Sequence, residues 1–165
     1  MAEIRWLEQE HPPESILERL CTPVREWFLW RFPSFTEPQK MAIPHLLEGE
    51  HLLLCSPTGS GKTLTAFLGI IDELVRKAVD RELEDKVYCV YISPIKALAN
   101  DIQKNLLQPL KEIEERFLPR RAQNVRVSLR TGDTSQSERQ KMLRKPPHIL
   151  ITTPESLSLA IASAK

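Results

Sequence analysis

The chain has 165 residues, 41% hydrophobic and 27% charged, enough to build one domain around a buried core and unlike a disordered or membrane-embedded polymer. Lys and Arg total 23 against 22 Asp and Glu, so the net charge of +1 exerts no global pull on nucleic acid or an anionic membrane, and any such contact has to be local. Three cysteines, Cys21, Cys55 and Cys89, form no close pair, which argues against a disulfide framework and makes a reducing compartment, the cytoplasm, the expected location.

No apolar run approaches the ~20 residues a spanning helix needs, and the first residues do not read as a leader peptide. The first 50 residues read as a helical preface, in which Val24, Trp27 and Phe28 share a face and Thr36 opens a further helix. Thr36-Glu37-Pro38-Gln39 fits a capping box, and the Gln39 carboxamide equally has the donor and acceptor to meet an adenine edge. Trp27, Trp30 and Phe32 are expected to pack, although a ring exposed near Gln39 would suit covering a base.

Residues 51–55 are apolar and predict a first strand. Ser56-Pro57-Thr58-Gly59-Ser60-Gly61-Lys62-Thr63 follows, and Leu64, Phe67, Leu68, Ile71, Leu74, Val75 and Ala78 then mark one face of a helix. Strand, glycine-containing loop and helix in that order are the context of a phosphate loop. Gly59 and Gly61 let the backbone curl so that successive N–H groups face phosphate oxygens at a helix N-terminus. Lys62 is placed to reach the β and γ phosphates of ATP, and Thr63 to ligate Mg2+. Thr58 and Ser60 complete the loop, and Ser56 stands where the strict pattern has glycine. Ile70-Ile71-Asp72-Glu73 imitates the Asp-Glu pair of a hydrolytic site, but it falls on the helix, with Ile71 inward and both acids expected to face water.

Residues 87–93, 125–130 and 148–152 predict three more strands, with helix-like stretches around Ile102, Leu106 and Ile113 and over residues 135–145. Strands alternating with helices imply βαβ units and a mainly parallel sheet. Ser93-Pro94, Thr131-Gly132-Asp133-Thr134 and Thr153-Pro154-Glu155-Ser156 each follow a strand, so they are expected along one sheet edge. Hydroxyls, backbone N–H groups and helix starts there suit a phosphodiester backbone, with Lys96 and Arg130 adding positive charge. For any one junction, ordinary helix capping explains the residues as well. His11, His45, His51 and His148 show no metal-ligand spacing with the cysteines.

Together these motifs resemble those of a known family. Phe35-Thr36-Glu37-Pro38-Gln39 resembles an adenine-recognising Q motif, residues 56–63 motif I, and residues 93–101 (Ser-Pro-Ile-Lys-Ala-Leu-Ala-Asn-Asp) motif Ia. Arg130-Thr131-Gly132-Asp133-Thr134 resembles motif Ib, and residues 146–157 resemble the next nucleic-acid-contacting motif. The set is similar to the first RecA-like domain of superfamily-two helicases, nearest the large helicase-related (Lhr) family.

The resemblance implies an α/β P-loop NTPase fold of RecA-like type, incomplete at its C-terminal side, with residues 1–50 as preface and 51–165 as the first part of the ATP-binding domain. It implies an ATP-dependent enzyme that moves on single-stranded DNA and unwinds duplexes, using ATP and Mg2+ and a second RecA-like domain from the rest of the polypeptide, with no membrane partner. It turns Gln39 toward adenine and lays Pro94, Lys96, Thr131, Gly132, Thr153 and Pro154 along the tracked strand. Thr22 stands where related enzymes carry a stacking aromatic ring. The DExH motif does not occur, so the chain by itself is expected to bind nucleotide weakly and to turn it over barely. The alternatives are a stand-alone, non-catalytic nucleotide or nucleic-acid binding module and a small-molecule kinase.

Overall fold

The computed structural model describes residues 4–94 and 101–163, which divide into two compact units, 1–73 and 74–165. Among the described residues no helix is long and apolar enough to cross a membrane.

The first unit contains α1 (Pro13–Arg19), α2 (Thr22–Arg31), α3 (Glu37–Leu47) and the opening turns of α4 (Lys62–Asp80). Its buried side chains include Ile16, Val24, Trp27, Phe28, Ile43, Phe67 and Ile71, and the rings of Phe28 and Phe35 stack at 4.0 Å. Pro44 lies inside α3 and has no N–H to give the carbonyl of Lys40. That carbonyl accepts the N–H of His11 instead, at 3.2 Å, which ties the N-terminal segment to the helix. Asp72 is only 1% exposed, against the expectation of a solvated pair, while Glu73 does face water. The cause is local: the Asp72 carboxylate accepts the N–H of Cys21 at 2.6 Å and so caps α2, an end whose own residues supply no side-chain cap.

Residues 51–55 depart from expectation in another way. Leu52 and Leu54 are half-buried and Leu53 is 88% exposed, yet these residues join no strand pair among the described residues. Alternating burial reports an extended backbone with one covered face; a strand also requires a ladder partner, which local sequence does not reveal.

The second unit holds the rest of α4, β1 (Cys89–Ile92), a π-helical turn (Gln103–Leu107) continuing into α5 (Gln108–Arg116), β2 (Val127–Arg130), α6 (Gln136–Arg144), β3 (Ile149–Thr152) and α7 (Pro154–Ser163). The wide turn precedes Pro109, which lacks the N–H that ordinary helical bonding to Asn105 would use. The three strands are parallel in the order β1-β3-β2, and Ile92, Thr152 and Arg130 lie side by side in register. The central β3 is accordingly the most buried strand. Gln123 clamps the end of α4, donating its main-chain N–H to Ala78 at 3.0 Å and pairing its carboxamide with both main-chain groups of Leu83 at 2.8 and 3.1 Å.

His148, at the start of β3, is fully buried. Its Nδ1 accepts the main-chain N–H of Arg126 at 3.0 Å, its main chain bonds to Arg126 and Tyr88, and its Nε2 has no hydrogen-bond partner among the described residues. Burial holds the imidazole below its ordinary pKa, and the Arg126 guanidinium pushes the same way.

Candidate functional site

The phosphate loop lies in the first unit and its two glycines do what the sequence asks of them. Gly59 and Gly61 have φ of 81° and 90°, the left-handed region that side chains disfavour. Gly61 is doubly constrained, since a Cβ there would lie 3.1 Å from Gln39 Nε2 and 3.3 Å from Thr36 Oγ1. The loop turns on a bond from Ser60 N–H to the Pro57 carbonyl, and α4 begins with Thr65 N–H donating to the Gly61 carbonyl at 2.9 Å. Thr65 is buried and repeats that bond with its hydroxyl, which fixes the first helical turn. Ser56, in the position of the strict pattern's first glycine, hydrogen-bonds hydroxyl to hydroxyl with Ser60 across the loop. Lys62 folds back and donates to the carbonyls of Ser56 and Pro57, the latter at 2.6 Å. Thr58 is exposed, and Thr63 is half-buried in the first turn of α4.

Gln39 and Thr36 are brought to this loop. Gln39 is 3% exposed; its Oε1 accepts the Thr36 N–H at 2.9 Å in the capping box, and its Nε2 lies against Gly61. The Thr36 hydroxyl donates to the Ser60 carbonyl at 3.0 Å. The glutamine is therefore a cap whose amide nitrogen borders the curled loop. Trp27 is buried, Phe32 packs edge-on against it at 5.7 Å, and Trp30 is about half exposed, as is expected of packing groups with one outward ring. Thr22 is exposed at the start of α2.

The second group of residues lies in the other unit, where the level register sends all three chains out of the sheet along one edge. Pro94 and Pro154 are exposed there, Arg130 and Thr131 half-buried, and Gly132 exposed. Lys96 lies outside the described residues. Thr153 is buried, and its hydroxyl accepts the Ser156 N–H at 3.3 Å, so that side chain caps α7 and leaves the outward surface to its neighbours. Thr131 N–H donates to Thr134 Oγ1 at 2.8 Å, closing the loop after β2. Sequence reasoning missed Arg139, whose guanidinium reaches from α6 to the carbonyls of Thr134 and Gly132, each at 3.0 Å. A helical arginine shortly after a glycine turn was the available signal. An open groove of about 670 Å³ lies beside this loop, with Leu129, Thr131, Thr134, Lys141 and Lys145 in its lining.

In a third cluster, His45, Glu48 and Glu50 each bring one potential metal-ligand atom within 4.8 Å of the others. Both carboxylates are already paired, Glu48 with Arg19 at 2.5 Å and Glu50 with Arg5 at 2.9 Å, which accounts for the arrangement as ion pairing.

A loop bent through two left-handed glycines at the head of an amphipathic helix, in a chain with a parallel α/β sheet, defines a P-loop fold of the RecA-like type. The profile of the DEAD/DEAH box helicase family matches residues 36–165, and the chain belongs to that family. It is 49% identical over 167 aligned positions to the ATP-dependent helicase Lhr-Core of Methanocaldococcus jannaschii, covering all of this chain and 20% of that protein. It is 46% identical over 160 positions to the Lhr helicase/uracil glycosylase of Escherichia coli, covering 92% of this chain and 10% of that one. Among solved structures it resembles the Mycobacterium smegmatis helicase Lhr bound to ssDNA and AMP-PNP, with a TM-score of 0.76 and 42% identity over 90% of this chain and 19% of that one. The chain thus spans a fifth or less of the length of these relatives.

Proposed function

We propose that the chain is the nucleotide-binding front part of an Lhr-like, ATP-dependent DNA helicase motor. The observation that carries this reading is the docking of Thr36 and Gln39 on Ser60 and Gly61, which joins a carboxamide suited to a base to a backbone suited to phosphates. In this reading the N–H groups of residues 58–63 and the Lys62 ammonium hold the polyphosphate, Thr63 offers its hydroxyl to Mg2+, and Gln39 meets adenine. The donors fit such a group: the glycines provide the curl, and Lys62 already rests on carbonyl oxygens that a phosphate oxygen would replace. ATP supplies the phosphoanhydride bond whose hydrolysis such a motor couples to movement. Single-stranded DNA runs along the edge formed by Pro94, Lys96, Arg130, Thr131, Gly132 and Pro154, with Thr153 beneath it as the cap of α7, and is held through its backbone and hence without sequence preference. A second RecA-like half of the polypeptide closes over the nucleotide.

In this reading the chain by itself binds nucleotide with little or no turnover, because its Asp-Glu pair, Asp72-Glu73, lies on α4 rather than at a strand end and no DExH motif occurs. The full-length gene product provides the test. Lys62→Ala is expected to lower its ATPase rate about 100-fold or more, the scale of losing a charged donor from a phosphate site. Gln39→Ala is expected to raise KM for ATP while leaving KM for a pyrimidine triphosphate unchanged. An ATPase rate indifferent to oligo(dT) would overturn the motor reading in favour of another P-loop enzyme.

A further inference from the structure

The geometry points to Arg139 as a positioning residue for nucleic-acid binding, one that acts by turning the backbone of the loop after β2 outward; this rests on the reading of that edge as the strand-binding side. Arg139 sits near the start of α6, a helix anchored by its own capping box: the Ser135 hydroxyl and N–H both donate to the Glu138 carboxylate, at 2.7 and 3.0 Å. From that fixed base Nε donates to the Thr134 carbonyl at 3.0 Å and Nη2 to the Gly132 carbonyl at 3.0 Å, with the Thr131 carbonyl at 3.5 Å.

In a trans peptide unit the C=O and the N–H of the next residue point in opposite directions. Drawing the carbonyls of Thr131 and Gly132 toward the guanidinium therefore turns the N–H groups of Gly132 and Asp133 away from α6. Thr131 N–H is already taken by Thr134 Oγ1, which leaves those two as the loop's outward donors. Successive outward N–H groups are the backbone device for holding an anion. Gly132 keeps their approach open, since nothing lies within 4 Å of where its side chain would begin. A lysine at position 139 would retain the charge but lacks the planar fork that spans two carbonyls.

The test is binding of fluorescein-labelled oligo(dT) at several salt concentrations by the wild-type chain, Arg139→Lys and Arg139→Met. Loss of positioning is expected to weaken both variants by about tenfold, the scale of charge-assisted bonds, with the salt dependence unchanged. Calorimetric binding of MgADP and the urea unfolding midpoint should stay as in wild type; a merely structural role would move both. Lysine is tolerated on a helix, so that variant carries the test if the methionine variant folds poorly. If Arg139→Lys binds like wild type and Arg139→Met shows a slope of log K against log salt reduced by about 0.7, Arg139 touches a phosphate itself and the inference is overturned. Unchanged affinity in both variants overturns it while leaving the functional reading intact. Absence of oligo(dT) binding by the wild-type chain overturns both.

Discussion

Gly61 and Gly132 show how differently two glycines can matter within one chain. Gly61 is held at φ of 90° with Gln39 Nε2 only 3.1 Å from where a methyl would go, whereas a methyl on Gly132 meets nothing within 4 Å. Gly61→Ala is accordingly expected to destabilise the fold by about 1–2 kcal/mol and to displace Gln39, and Gly132→Ala to stay within about 0.5 kcal/mol of wild type in urea unfolding. His148 supplies a pH dependence. Its Nδ1 accepts from the Arg126 N–H, so protonation forces that bond apart inside the β2–β3 junction. Asp85 opposes the downward shift of its pKa, while Arg126 and Lys145 favour the neutral ring. Because the folded pKa is depressed, the contribution to stability is fully present above the unfolded value of about 6.5 and is lost as pH falls through the lower folded value. Unfolding midpoints between pH 8 and 5 should fall on acidification, and His148→Gln should flatten the decline; parallel curves would contradict this account.

At the level of elements, α2 depends on a side chain fifty-one positions away in sequence. Asp72→Ala leaves the part-buried Cys21 N–H without this acceptor, and the expected cost is about 1–2 kcal/mol in chemical denaturation. Glu73→Ala, on the exposed neighbour, is the control and should be near neutral. Asp72 also marks where local reading stops. The helical period correctly put Ile71 inside, but no window of sequence near residue 72 contains Cys21, so a buried cap and a solvated acid look alike. Residues 51–55 fail for the same reason, since their apolar run is legible and their ladder partner is not. By contrast, the curl at Gly59 and Gly61, the capping box at Thr36 and Gln39, and the three strands of the sheet were legible because each rests on residues close together in the chain. The contact between Gln39 and Gly61 was not, because it joins two local motifs across space.

Across the whole molecule, many large apolar side chains face solvent: Leu53, Val90, Ile92, Leu129, Leu159 and Ile161 are all exposed. The isolated chain is expected to self-associate through such surface in a concentration-dependent way, measurable by light scattering across a dilution series. Leu53→Lys, on a segment with no strand partner among the described residues, should reduce that association without lowering the unfolding midpoint. The levelling of Ile92, Thr152 and Arg130 in the sheet has a consequence of its own. Adjacent strands stand about 4.8 Å apart, so the three exits occupy a ledge roughly 10 Å wide. In the proposed reading, a ledge that narrow meets only a short stretch of a strand's phosphates. Lengthening a bound oligonucleotide beyond that footing should multiply the registers available to it without strengthening any one of them.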